Sequence, residues 1–335
     1  MRKMMCSVSV LAIVLYATCA DAASKVWVSN TGVDSGTCGA VTAPCRTFQA
    51  AHDNVAAGGE IGTLTPGDYG SGGRSGLFSE LIIVKSVAVT NDGSGEAGIL
   101  ATPGNFGAFI SARTGDVVSL RGLVIDGQVS GAIGIYIAQA SAVHIQNSVI
   151  RNFEAGPGRG FGIFLGPSSN SQMFVSDSII FNNGSTAGTG GILIAPSDGL
   201  SSPSSANVVL DRVHLENNVV GLQLDATQGT TNGIHLILRD SVVSGNASDG
   251  IQAISAAGQR PAFLVVERSS IVNNGGIGIS ANGPRATMLL NDNTVARNGV
   301  GLSAVNSGQL ISYGNNRVNN NLGPDGTPTG THSLL

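Results

Sequence analysis

Acids and arginines alternate at fixed places along this 335-residue chain. A loose phrase, "NSVIRNF" at 147, returns as "DSIIFNN" at 177, "RVHLENN" at 212, "DSVVSGN" at 240 and "RSSIVNN" at 268. The first position of the phrase, its anchor, runs Asp177, Arg212, Asp240, Arg268 and Asp292. The position before it runs Asp211, Arg239 and Glu267. Two kinds of chemistry fit such a set. Opposite charges on neighbouring repeats form a ladder of exposed ion pairs, each worth about 0–1 kcal/mol and opposing slipped stacking. Carboxylates on adjacent repeats can also gather around one site, as oxygen ligands for a hard cation. Arginines this close neutralise the acids and leave little charge for a cation, which favours the ladder.

The elements that must position these charges follow from the phrase itself. Anchors at Gly122, Asn147, Asp177, Arg212, Asp240, Arg268, Asp292 and Asn315 are 25, 30, 35, 28, 28, 24 and 23 residues apart, a period of stacked units. Four before the anchor stand Val118, Val143, Met173, Val208, Leu236, Leu264, Met288 and Ile311; two before it, Leu120, Ile145, Val175, Leu210, Leu238, Val266, Leu290 and Tyr313. Three after it stand Ile125, Ile150, Ile180, Leu215, Val243, Ile271, Val295 and Val318. Apolar positions two apart describe a strand with one face inward. Five after the anchor, Gly127, Asn152, Asn182, Asn217, Gly245, Asn273, Arg297 and Asn320 suit a left-handed corner, and stacked Asn amides can bond one to the next. A second strand follows: "GIYI", "GIFL", "GILI", "GLQL", "GIQA", "GISA", "GLSA". Equivalent strands then stack in parallel at about 4.8 Å, which makes a β-solenoid whose units stabilise one another.

Composition agrees. Gly is abundant (48), aromatic residues are 4% and charged residues 11%. Residues 1–22 read as a signal peptide: Arg2 and Lys3, the apolar run Val8–Ala17, then Ala20-Asp21-Ala22 as a cleavage site, with lipid attachment at Cys19 the alternative. No later segment suits a membrane span. Cleavage leaves 15 basic against 20 acidic side chains, a formal charge of −5, which argues against a nucleic-acid partner. It also leaves two cysteines, Cys38 and Cys45, expected to form a disulfide in an oxidising compartment. Residues 23–70 read as an N-terminal cap, 71–321 as coils and 322–335 as an irregular tail. Within the cap, Thr47–Gly59 reads as a helix with Thr47 as N-cap, Phe48, Ala51 and Val55 on one face, and Gly58 as its end.

The N-terminal "GVDSGTCGAVTAPCRTFQAA", the "PGDYG" turn, "LRGLVIDG" and the repeated "NSVIRN…GIxI" coils resemble the right-handed parallel β-helix, pectate-lyase-like superfamily over residues 25–320. That resemblance implies an all-β chain: a single right-handed parallel β-helix with a short N-terminal capping helix. It implies a secreted or periplasmic protein engaging an extended polysaccharide, acidic ones included, on its outer face. Acidic polysaccharide lyases of this fold use carboxylates to hold calcium on uronates, with a basic residue as proton acceptor. Carried over, Asp177, Asp211 and Asp240 with Arg212 or Arg239 become catalytic candidates, and calcium the implied cofactor; the residues alone indicate no metal site. Glycoside hydrolysis needs two carboxylates about 5–9.5 Å apart, which Asp177 and Asp240, two coils apart, can approach. Polygalacturonase signatures ("DD", "GHG", "RIK") are absent, so lyase-type activity is favoured over hydrolysis.

Apolar residues also stand where solvent is expected. Three before the anchor are Phe174, Val209, Ile237, Val265 and Leu289; in the second strand, Tyr136, Phe164 and Leu193. Such stripes take loop cover, a second copy of the chain, or a sugar, with Tyr136, Phe164 and Phe174 as substrate-binding candidates. The alternative function is a non-catalytic, adhesin-like surface protein that assembles through the stripe. His144, His214 and His235 fall in different columns and do not make a joint site. "GPGRGFG" at 156 lacks the Lys-Ser/Thr of a phosphate loop.

Overall fold

Inward positions two before and three after the anchor are an odd number of residues apart, so they cannot lie on one flat strand. The chain must bend between them, and the computed structural model shows the bend at the anchor. Asn147, Asp177, Arg212, Asp240, Arg268 and Asp292 all adopt φ between 45° and 51°. Each repeat therefore holds three strands, one more than the sequence pattern indicates. The coil around the anchor Asn147 runs Ala142–Gln146, then Val149–Arg151, then Phe161–Leu165. The corner five after the anchor is left-handed as expected at Asn152, Asn182, Asn217, Gly245, Asn273, Arg297 and Asn320 (φ 53° to 66°).

The structure describes residues 23–72, 78–198, 204–230 and 232–333; the segment read as a signal peptide lies outside them. Equivalent strands stack into three parallel faces, here the first (12 strands), second (10) and third (9) in the order the chain visits them. Ile150, Ile180, Leu215, Val243, Ile271 and Val295 pair in register on the second face and form one fully buried internal row. The last coil differs from the expected alignment. Gly314 takes the left-handed bend in place of Asn315, so Leu310 rather than Ile311 pairs with Met288 and turns inward.

A second correction concerns the stacked amides. They lie six after the anchor, not five: Asn183, Asn218, Asn246, Asn274 and Asn298 are at most 1% exposed. A left-handed residue turns its side chain outward and the next residue inward, so the corner asparagines point to solvent. Each inward Nδ2 donates to the Oδ1 of the next rung, at 3.0, 3.2, 2.8, 2.8 and 3.0 Å, the last acceptor being Asn321. The glycine that opens each third-face strand makes room for them. A Cβ on Gly250 or Gly278 would sit 2.9 or 2.8 Å from the Nδ2 of Asn274 or Asn298.

Both ends of the tube are covered, which blunts edge pairing. The cap helix is shorter than expected, Phe48–Asn54, with the Thr47 hydroxyl accepting from Ala50 N. From Val55 the chain is a strand, Val55–Thr63, because it pairs with Ala23–Val28 and Val87–Thr90 on the first face. Phe48, Ala51 and Val55 are fully buried. The polar side of the helix completes the open edge of the third face: Gln49 Oε1 accepts from Ile82 N at 2.7 Å and His52 Nε2 from Val84 N at 3.3 Å. The disulfide Cys38–Cys45 pins the segment whose backbone bonds Trp27 and Ser29 on the first-face edge. At the other end Gly330–Thr331 pairs with Ile311–Ser312, so coil pairing reaches into both the cap and the tail segments.

Candidate functional site

Outward positions of the first face form parallel columns because the strands pair without slippage from Ser171–Ser176 to Ala286–Asn291. Five before the anchor is a polar column, Gln172, Asn207 and His235, followed by Phe263. Three before it is the apolar column Phe174, Val209, Ile237 and Val265, of which Ile237 is 41% exposed. One before it is the charged column Asp211, Arg239 and Glu267, continued by the anchors themselves. Phe174, Val209, Ile237 and Val265 floor a groove of about 260 Å³ that Asn207, His235 and Phe263 border. The apolar column was legible in the sequence; the amide and imidazole border was not, since Gln172, Asn207 and His235 share neither a residue type nor an alternation of charge.

The charged candidates are paired. Arg212 grips Asp177 with two bonds of 2.7 and 2.9 Å and reaches Asp211 at 2.5 Å. Arg239 bonds the other oxygen of Asp211 at 3.1 Å, and Arg268 holds Asp240 with two bonds of 2.9 Å. All five residues carried over as catalytic thus form inter-coil ion pairs. Among the described residues no cluster of three His, Cys, Asp or Glu side chains is arranged to hold a metal.

The aromatic candidates divide between faces. Tyr136 and Phe164 stand on the third face, Phe174 on the first. The Tyr136 and Phe164 rings stack on each other at 4.9 Å and 7°, and Phe174 stacks on His144 at 4.8 Å and 10°. Each stack covers one face of the rings it joins, and Phe174 also lines the groove with Val209 and Ile237. His214 bonds Glu216 on the second face, away from His144 and His235.

A sequence profile described as the right handed beta helix region matches residues 104–322. The chain belongs to the right-handed β-helix family. Among curated proteins, none matches it. Two of the solved structures it resembles are polysaccharide lyases by name. One is the pectate lyase Pel9A, at 15% identity and TM-score 0.53, covering 93% of this chain and 80% of that one. The other is an alginate lyase from a Paenibacillus species, at 15% identity and TM-score 0.55, covering 91% and 98%. At this identity the likeness is one of architecture.

In this β-helix the ion pairs set an acid limit. The Arg212 hydrogen bond holds the Asp177 carboxyl below its usual range, and the Arg268 bond does the same for Asp240. At Asp116 the Ser86 hydroxyl is the main cause. At Asp126 burial pushes upward, but bonds from Gln128 N, Asn152 and Arg151 outweigh it. A lowered carboxyl pKa contributes stability that is complete above the unfolded value, about 3.9, and lost as pH falls through the folded value. Burial raises Asp249, which works in the opposite sense. Thermal unfolding is therefore expected to hold steady from pH 7 to about 4 and to weaken below that. The double change Asp177→Asn and Asp240→Asn should flatten the acid limb. A loss centred near pH 6, or an unaltered limb in the double variant, would contradict the assignment.

Proposed function

We propose that this chain is an exported protein that engages an extended polysaccharide along the groove of its first face, by binding rather than cleavage. The observation that carries the reading is the order of the columns. An apolar floor between an amide and imidazole border and a guanidinium–carboxylate border repeats over three successive coils, those of Gln172, Asn207 and His235, about 4.8 Å apart. That rise is close to the length of one pyranose residue in an extended glycan. Pyranoses offer apolar C–H faces and hydroxyl edges, which this order can match rung by rung. The paired charges favour binding over lyase chemistry, because a calcium ion or a proton acceptor would first have to break an existing pair. The disulfide and the predicted signal segment support export.

Calorimetry against neutral and uronate oligosaccharides tests the reading. Saturable binding to the native protein is expected, and Ile237→Lys should weaken it at least about tenfold, equivalent to about 1.4 kcal/mol. Release of unsaturated uronides from polygalacturonate or alginate, with or without calcium, would replace binding by cleavage. Absence of binding to every oligosaccharide, together with self-association in sedimentation, would favour the adhesin-like alternative.

A further inference from the structure

The sole tryptophan of the chain lies at the N-terminal end of the same face. Trp27 is outward on Ala23–Val28, and the column it heads continues through Gly62, Thr90 and Arg121. Its indole lies across Gly62: a Cβ there would meet the ring at 2.7 and 2.8 Å. A glycine in an outward position of a strand costs stability and leaves a gap, and here the gap is the seat of the ring. Beside it is a groove of about 380 Å³ bordered by Glu60, Thr63, Thr90, Asp92 and Ser94. Hydroxyls and carboxylates thus surround a flat apolar plate.

We propose that Trp27, seated on Gly62, is a sugar-binding platform for a neutral pyranose residue at the N-terminal end of the first face, five strands before Phe174 and the apolar groove, an inference that rests on the binding function argued above. Charge decides for a neutral sugar. The two cations at the groove are already matched, Lys25 with Glu60 at 3.0 Å and Arg121 with Asp92, so a uronate finds carboxylates without a spare cation. The Lys25 ammonium sits 4.5 Å from the indole centroid. Lys25 and Glu60 are 43% and 37% exposed, so the ammonium can leave the indole face at little cost while its charge stays matched by Glu60. An aromatic face carries both an apolar contact and a quadrupole that suits axial C–H groups.

Because the chain has one tryptophan, its emission reports this site alone. Gluco-, manno- and xylo-hexaoses, with hexagalacturonate as the charged probe, are titrated into the full mature protein while fluorescence and calorimetry are read in parallel. At least one neutral hexaose is expected to shift the emission saturably, with the same midpoint as the heat. Trp27→Ala should weaken that binding by about tenfold or more. Gly62→Ala, which unseats the ring without removing it, should change the emission of the free protein and weaken binding in the same direction. Heat of binding with unchanged emission would overturn the platform and leave the first-face groove standing. Stronger binding of hexagalacturonate than of any neutral hexaose would overturn the neutral class. No heat with any probe would remove the binding function itself.

Discussion

Replacing Asn246 by alanine is expected to remove about 3–5 kcal/mol of folding stability, more than any single ion pair on the surface can contribute. Asn246 is 1% exposed and makes four bonds. Its Oδ1 accepts from Asn218 N at 2.9 Å and from Asn218 Nδ2 at 3.2 Å, and its Nδ2 donates to Leu215 O at 3.1 Å and Asn274 Oδ1 at 2.8 Å. Truncation strands Asn218 N and Leu215 O inside the tube, while Asn218 Nδ2 keeps Ile180 O and Asn274 Oδ1 keeps the backbone Asn246 N. Each buried group left without a partner costs about 1–3 kcal/mol, and neighbouring rungs can recover only part of it. The adjacent corner supplies the control. Asn217 is left-handed (φ 54°) and points to solvent, so Asn217→Gly should change stability by less than about 0.5 kcal/mol. Urea unfolding of the two variants separates the roles. Equal costs would mean that the amide ladder does not hold the coils.

This pair also shows where the sequence could be read and where it could not. "NN" at 182, 217 and 273 announces a corner, and the first residue of each pair does take the left-handed turn. Which of the two amides enters the core depends on how that turn reverses the side-chain direction, which letter frequency does not carry. The third strand per coil was hidden in the same way. Its trace was the odd interval between Ile145 and Ile150, both inward, which forces a bend at Asn147. Alternating charge is a pattern of adjacent repeats, so the Asp177–Arg212 and Asp240–Arg268 pairs were visible in advance. The seat of Trp27 was not: Gly62 lies 35 residues away in a first coil too irregular to join the repeat alignment.

The internal row gives the second large effect. Ile180→Ala is expected to cost about 4 kcal/mol, towards the upper part of the range for buried large-to-small changes. The cost of such a change depends on how far the walls can relax. Here they are held. Ile180 is fully buried between Ile150 and Leu215 on backbone ladders that bond in register on both sides. Across the tube, Gly162 approaches so closely that its Cβ would come within 2.4 Å of an Ile180 methyl. A collapse would have to shift a whole coil against two neighbours, so the cavity stays open. Ile179 is the comparison, since it is the preceding residue on the same strand but points outward and is 39% exposed. Ile179→Ala should cost under about 1 kcal/mol. Because each coil touches only its neighbours, the lost amide protection in Ile180→Ala should also be local, strongest between residues 145 and 220 and weak near the capped N-terminal end. Matching losses at 179 and 180 would mean that inward and outward alternate differently on the second face, and the columns of the first-face groove would have to be reassigned with them.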